Sequence, residues 1–442
     1  MRLKLNNILK IKNADIEFGG LTVLTGENNT GKSTVGKVLF TLLKAVNNVR
    51  HLDRIKSVSL IRKELLAVER MFSNNPQISL LLKDIQDLSV GLTDGSIPIE
   101  SFLNDIENAV DTEETPIRKL TMLRNSLTRI KKYTDILDNP ENAVRSEFES
   151  ISKSEFMEPI NSYGTNHSVI HFQDDTTDSD GSDILINIRD GKVAGIQSVG
   201  NTSIEDITYI ESPVFLQILN ILRITSPIVT DSLRGIENSL GKENIPFHLA
   251  DMAEKILSPS EYTGLFADIL EEDLRQLLER INEIIGGEFV MDGKTKQLSF
   301  HLQGHSVPPV SVASGIKSFG MLQRLIQTAN LSAYKMLVWD EPEIHLHPEW
   351  QISLCEMIVE LVANGIPVIV SSHSPYFVQG LRYFAAAKGL EKDVRYYMAE
   401  ASSESGMATV KEVTEDLNSV FTLLAAPLRK IMNVDEVRNT QK

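Results

Sequence analysis

Residues 26–34 read GENNTGKST, between the apolar run LTVLT at 21–25 and VGKVLFTLLKAV at 35–46. Gly26, Gly31, Lys32 and Ser33 fill the pattern G-x-x-x-x-G-K-[ST] in the setting it needs, a strand before the loop and a helix after it. That setting commits the chain to an α/β design in which a strand edge and a helix N-terminus share one phosphate group. Gly26 and Gly31 permit backbone conformations that a Cβ obstructs, so successive N–H groups point inward, and the positive end of the helix adds to them. Lys32 is expected on the β- and γ-phosphates, Ser33 on Mg²⁺ and Thr34 near the α-phosphate. Asn28, Asn29 and Thr30 complete the nucleotide-binding loop, with the two asparagines shaping it rather than reading the ligand.

The 442 residues are 42% hydrophobic, without an apolar run near the ~18 residues of a membrane span, so a soluble protein of two or three domains is expected. The N-terminus, MRLKLNNILKIKNADIEF, alternates polar and apolar residues like a strand and lacks a signal-peptide core; the expected compartment is the cytosol. Cys355, the single cysteine, excludes an internal disulfide and reads as buried core within ISLCEMIVELV. A formal net charge of −16 argues against a protein that wraps DNA with most of its surface. A local basic groove for nucleic acid could come from Arg118, Lys119, Arg124, Arg129, Lys131 and Lys132, although a solvated helix face is the commoner origin of such a run.

After the P-loop helix the α/β pattern stops. Helix-period stretches such as IRKELLAVERMF and IRKLTMLRNSLTRIKKYTDIL follow, broken near Asn75-Pro76, Pro98 and Asn139-Pro140. The expected organisation is an N-terminal part of an ATPase head at 1–46, a helical insertion with an acidic loop at 47–183, head strands at 184–213, a helical subdomain at 214–285 and the rest of the head at 286–442. Within it, DILINIRDGKVAGI reads as a hairpin turning at Asp190-Gly191, ITYIESP as a buried strand, and Gly286-Gly287 as a helix stop. Asp178-Ser179-Asp180 mimics a D-x-D metal pair but sits in a Ser/Thr/Asp/Gly loop, which favours a solvated segment.

The last third returns to nucleotide chemistry. In KMLVWDEPEIHLHP, Met336–Trp339 form a short apolar strand that delivers Asp340 and Glu341 to its C-terminal edge; Asp340 is assigned to Mg²⁺ and Glu341 to the general base. Glu343 is open between a supporting role and the surface, and His345 and His347 read as loop packing rather than a zinc pair. In GIPVIVSSHSP, His373 follows another buried strand, where it fits a γ-phosphate sensor better than a structural histidine. Ser314, in ASGIKS, reads as an N-cap for a helix through SFGMLQRLIQTAN.

In this order the motifs resemble those of the ABC-type ATPase heads of the SMC, RecF and OLD group: GENNTGKS, a helical block, ASGIKS at 313–318 as the signature, WDEPEIHLHP and SSHSP. The wording DEPEIHLHP is closer to OLD-like and anti-phage ATPases, such as those of the Septu type, than to transporter subunits. The resemblance implies an α/β ABC-type P-loop head with a mostly helical insertion, ATP and Mg²⁺ as cofactors, and ATP hydrolysis. It also implies head-to-head association, in which Ser314 and the Gly315 amide contact the γ-phosphate held by the other subunit's P-loop. The sequence departs from the group where the signature lacks a second glycine, and where YIESP offers Glu211 instead of a glutamine, so no Q-loop residue is assigned.

Two functional classes follow from the resemblance. One is an ATPase that regulates a separately encoded effector, a nuclease in bacterial anti-phage defence; the alternative is a RecF- or SMC-like repair or chromosome-maintenance ATPase that clamps DNA. A self-contained nuclease of the OLD type is disfavoured by the 67 residues after Pro375, and a transporter subunit by the absence of a membrane span.

Overall fold

The computed structural model describes residues 1–50, 54–110, 115–162, 165–175, 181–199, 202–219, 245–258, 272–292, 295, 297–403 and 405–426. The chain forms two compact units, Met1–Leu43 with Ile151–Lys442, and Lys44–Ser150. Asp178-Ser179-Asp180 and much of the second helical run lie outside the described residues.

In the first unit the strands are β1 (Arg2–Ile8), β2 (Ile11–Glu17), β3 (Leu21–Gly26), β4 (His167–Asp174), β5 (Ser182–Arg189), β6 (Lys192–Val199) and β7 (Asp206–Ile210). They continue with β8 (Glu288–Met291), β9 (Leu298–Leu302), β10 (His305–Val307), β11 (Lys335–Asp340), β12 (Val368–Ser372), β13 (Val394–Ala401) and β14 (Ala408–Glu412). Eleven of these described strands make one sheet in the order β6-β5-β4-β1-β2-β14-β13-β3-β12-β11-β7, and β8, β9 and β10 make a second. From β13 to β7 all neighbours run parallel. Helices cover such strands on both faces, so they need apolar residues at successive positions: all of β3 and β12 is buried. The antiparallel strands β1, β4 and β5 instead alternate, burying Leu3 and Leu5, Ile170 and Phe172, and Ile184 and Ile186.

β4 pairs with β1 although its residues were read as the tail of the helical insertion. The signal is the period-2 pattern of HSVIHFQD, too short to compete with the helical stretches before it. Asp190 and Gly191, both at positive φ, close the β5–β6 hairpin as the sequence suggested, and Gly286 at φ 70° ends the helix Glu272–Ile285.

The second unit has its own core, with Ile61, Leu65, Leu92, Phe102, Ile106 and Ile130 at its centre. The break at Asn75-Pro76 is a helix start: Asn75 Oδ1 accepts from the amides of Gln77 at 3.0 Å and Ile78 at 3.2 Å, ahead of the helix Pro76–Leu81. The basic run lies on the helix Ile117–Asp138, and its charges are largely used within the unit. Arg129 pairs with Glu64 at 2.8 Å, Lys131 with Glu100 at 2.7 Å and Lys132 with Glu147 at 2.5 Å. Lys119 donates to the Met71 carbonyl at 3.2 Å and stands over the Phe72 ring. Four of the six cations therefore serve intramolecular contacts, which agrees with a solvated helix face.

The main core of the first unit is built on the parallel strands and on the helices Ser314–Gln327, Pro348–Ala363 and Pro375–Ala387. Cys355 is buried there, its thiol donating to the Phe377 carbonyl at 3.4 Å; burial, then the nearby Glu343 charge, push that thiol well above the usual range. Phe319 is fully buried and meets Trp350 edge-on, with ring centroids 5.5 Å apart at 87°. Phe319→Ala should cost about 3–5 kcal/mol of unfolding free energy, as for other large-to-small changes in close-packed cores. Denaturant titration checks this, and a loss below about 1 kcal/mol would mean that the site collapses around the smaller side chain.

Candidate nucleotide site

The loop after β3 has the strained backbone that phosphate wrapping requires. Gly26 sits at φ 139°, Asn29 at 65° and Gly31 at 85°. A Cβ on Gly26 would lie 2.4 Å from the carbonyl oxygen of Ala399, its partner in β13, so glycine is dictated by the sheet as well as by the ligand. The helix Lys32–Arg50 starts immediately after the loop. Thr30 Oγ1 donates to the Glu27 carbonyl at 2.8 Å, and Lys10 donates to the Asn29 side chain. Lys32 is buried, and its ammonium is held by loop carbonyls, Gly26 O at 3.1 Å and Glu27 O at 2.8 Å. Burial lowers its pKa, and the charges of Glu341, Asp340 and Glu343 oppose that shift.

β12 lies between β3 and β11, so three C-terminal strand edges stand side by side: the loop from Gly26, Ser372-His373, and Asp340-Glu341. Asp340 is opposite Ser371 in register and buried. Its Oδ1 accepts from Ser371 Oγ and its Oδ2 from Tyr209 OH at 3.1 Å, and among the described residues no cation pairs with it. A buried carboxylate whose side-chain hydrogen bonds come from hydroxyls keeps its charge and is suited to a divalent cation. Glu341 occupies positive φ at 46°, with its amide bonded to the Ser371 carbonyl at 3.0 Å, and this turn aims its carboxylate at His373: Oε1 to Nδ1 is 3.2 Å.

Glu343, left open by the sequence, is neither a surface residue nor a spectator. It is 5% exposed, and Oε1 accepts from Ser372 Oγ at 2.5 Å and from the His373 amide at 3.3 Å. The loop after β11 is thereby tied to the loop after β12, holding Glu341 and His373 in one frame. Among the described residues its Oε2 has no hydrogen-bond partner, and burial raises its pKa against the bonds from Ser372 and His373. His347 caps the helix Pro348–Ala363, its Nδ1 accepting from the Glu349 amide at 3.4 Å, while His345 is exposed at φ 65°. Their parts are a cap and an exposed turn, where packing was expected. Ser314 is not the N-cap either: Ala313 is, in extended conformation without a side-chain cap, and Ser314 is the first helical residue.

A polar cluster beside the site was not foreseen, because its members come from four distant segments. Lys37, one helical turn beyond Ser33, lies 3.4 Å from Glu155 and 3.2 Å from Glu211. His248, 1% exposed, lies 2.8 Å from Glu155 through Nδ1 and 2.8 Å from Glu211 through Nε2. The His248 contact, opposed by burial and joined by Lys37, holds Glu211 at a pKa of about 2. Burial works against charge on both His248 and Glu155, yet their mutual bond, with Glu211 on the histidine, leaves His248 raised and Glu155 lowered. Glu211, at the position without a glutamine, is thus an ionised carboxylate fixed by two cations.

The fold and the strand-edge cluster define a P-loop ATPase. The chain belongs to the family of the AAA ATPase domain (AAA_15), whose model matches residues 1–378. No curated protein sequence matches it. Among solved structures, an SMC head bound to the C-winged helix domain of ScpA is 12% identical, with 95% of this chain and 98% of that chain covered and a TM-score of 0.43. The SMC head domain from Thermotoga maritima is 9% identical, with coverage of 93% and 98% and a TM-score of 0.36. The recombination mediator RecF is 9% identical, with coverage of 92% and 97% and a TM-score of 0.35. No described helix is long and apolar enough to cross a membrane.

The buried cluster makes stability depend on pH. His248 is held above its ordinary value of ~6.5, so the stabilisation from its charged form is complete below that pH and is lost as pH rises through the folded pKa. Glu211, at about 2, contributes above its ordinary range and loses its contribution as pH falls toward 2. His248→Gln should therefore destabilise the protein most between about pH 5 and 6.5, with the gap to wild type narrowing at alkaline pH. Thermal unfolding of both proteins across that range is the check; a gap independent of pH would show that His248 acts there without its charge.

Proposed function

We propose that this ATPase binds Mg-ATP at the aligned edges of β3, β12 and β11, and that ATP-dependent association of two copies regulates a partner protein. The observation that carries the catalytic part is the 3.2 Å contact between Glu341 and His373 beside the P-loop strand. Lys32 exchanges its loop carbonyls for β- and γ-phosphate oxygens, while the loop amides from Asn28 to Thr34 enclose the phosphates. Ser33 and Asp340 would hold Mg²⁺, which supplies charge stabilisation to the transferring phosphoryl group. Glu341 accepts a proton from the attacking water, and His373 orients Glu341 and senses the γ-phosphate. Ser314 and the Gly315 amide complete the phosphate cage of a second copy.

The partner reading rests on charge and on motif resemblance. The chain is acidic, and the basic helix Ile117–Asp138 pairs three of its six cations with carboxylates of its own unit. This favours a protein partner over nucleic acid. We place that partner as a separately encoded effector, a nuclease in anti-phage defence, on the resemblance of WDEPEIHLHP to the motifs of such ATPases; a RecF- or SMC-like DNA clamp is the alternative.

Glu341→Gln should keep ATP binding and slow hydrolysis by roughly 10²–10⁴-fold, because the amide cannot take the water's proton. Hydrolysis at the wild-type rate in a steady-state phosphate assay would remove Glu341 as the base. Lys32→Ala should weaken ATP affinity by at least about ten-fold, and unchanged affinity by calorimetry would undo the phosphate assignment.

In the Glu341→Gln protein, ATP should drive association detectable by light scattering, since a ligand enclosed only in the associated form stabilises that form. Ser314→Arg added to it should abolish the ATP-dependent change while leaving nucleotide binding intact. Association unaltered by Ser314→Arg would exclude the signature turn from the interface.

A further inference from the structure

The cluster of Lys37, Glu155, Glu211 and His248 lies apart from the strand edges that carry Asp340, Glu341 and His373, and its charges balance in only one protonation state. Glu155 Oε1 is 2.8 Å from His248 Nδ1, and Glu211 Oε2 is 2.8 Å from Nε2. The Glu211 contact is an ion pair off the line of a hydrogen bond, since Nε2 has no such partner among the described residues. A neutral imidazole carries one N–H, so losing the proton would set a ring lone pair against one of the two carboxylates. With His248 charged, two cations face two carboxylates. With it neutral, Lys37 alone faces both, and the cluster carries one net negative charge.

The surroundings fix every other charge. The Tyr209 ring meets the imidazole edge-on, with centroids 5.2 Å apart; burial and then the Asp340 charge keep its hydroxyl protonated, and that hydroxyl donates to Asp340. On the helix of His248 itself, Phe247–Leu257, Asp251 pairs with Lys255 at 3.0 Å, and Lys255 pairs with Asp206 at 2.8 Å. That helix is held at both ends. The His248 amide donates to Glu155 Oε2 at 3.1 Å, and at the far end Arg324 donates to the carbonyls of Ile256 and Ser258. The charged groups therefore cannot move apart without unseating the helix, which leaves the proton as the adjustable element. Glu211, with 42% of its side chain exposed, opens the cluster to the solvent that exchanges it.

Lys37 and Ser33 are spaced i, i+4 on the helix Lys32–Arg50, so they share a face about 6 Å apart along its axis. The net charge of the cluster is thus felt where a nucleotide polyanion would sit. We propose that His248, Glu155 and Glu211 form a proton-binding site linked to the nucleotide site, so that Mg-ATP binding takes up a proton and affinity falls as the solution becomes alkaline. This rests on the nucleotide-site reading above and adds its regulation. The sign follows from charge: Mg-ATP is net negative and favours the charged imidazole, and the charged imidazole favours Mg-ATP by the same factor.

Calorimetry with Mg²⁺ and the slowly hydrolysed analogue ATPγS, in buffers of different ionisation enthalpy, reads the proton directly. The wild-type chain should take up a fraction of a proton per nucleotide, and either His248→Gln or Glu155→Gln should cut that uptake by at least about half. Affinity gives a second arm. ATPγS should bind wild type at least about three-fold more weakly at about pH 9 than at about pH 6.5, and His248→Gln should already be that weak at the lower pH. Adding Glu155→Gln to His248→Gln makes the cluster neutral again without a titrating ring. The double variant should therefore match wild type at the lower pH and bind more tightly than wild type at the higher, a gain that damage to the fold cannot give.

Proton uptake that both single variants leave unchanged overturns the proposal, as does a double variant that binds no better than His248→Gln. Binding of ATPγS to the wild type with no uptake removes the linkage alone and needs no variant to do so. If the wild type binds no ATPγS, the nucleotide-site reading falls and the linkage with it.

Discussion

The parallel pairing of β11 with β12, which sets Asp340 opposite Ser371, is the constraint on which the site depends. From that one register come the hydroxyl on Asp340, the bond from the Glu341 amide to the Ser371 carbonyl, and the position of Ser372 one residue further on, where it reaches Glu343. Slip β12 by one residue and its side chains exchange faces, taking Ser371 from Asp340 and Ser372 from Glu343 together. The apolar run PVIVSS can end in two serines because both hydroxyls have buried carboxylates to meet. Their cost of burial is offset within the same pair of loops that carries Glu341 and His373.

How much of this was legible depends on the range of the interaction responsible. The P-loop, the acidic strand end and the histidine strand each declare themselves in fewer than about fifteen consecutive residues, because local chemistry dictates them. The β5–β6 hairpin was equally readable from Asp190-Gly191. β4 was not: its alternation spans eight residues after a long helical stretch, and only its pairing with β1, far away in sequence, shows that it belongs to the main sheet. The cluster of Lys37, Glu155, Glu211 and His248 had no local signal, since each residue alone looks like an ordinary charged or polar position. Glu343 could be seen in the sequence without its burial, and burial decides what it does. Ser314 shows the reverse hazard: its residue type fitted a cap, but the chain enters the helix one residue earlier.

The site and the buried cluster meet on the helix that follows the P-loop. Lys32 and Ser33 open it and Lys37 stands one turn after Ser33, facing Glu155 and Glu211, so the segment proposed to receive phosphate also holds the carboxylate after β7. Tyr209, inside β7, reaches Asp340, and Lys37 lies 5.7 Å from the centre of its ring. The proposed nucleotide site and the packing of β7 are thus parts of one electrostatic arrangement. The carboxylate at position 211 is accommodated because two cations, His248 and Lys37, lie against it.

Cys355 has a practical consequence for watching this molecule work. Its thiol lies buried between two core helices, is engaged with the Phe377 carbonyl, and is held in its unreactive protonated form far above neutral pH. Maleimide and iodoacetamide dyes should therefore pass over the native chain, leaving it spectroscopically blank without any substitution of its own cysteine. A single cysteine placed on an exposed residue such as Ala313 would then be the sole labelled position, and fluorescence energy transfer between labelled copies could follow their approach in real time on an otherwise unaltered protein.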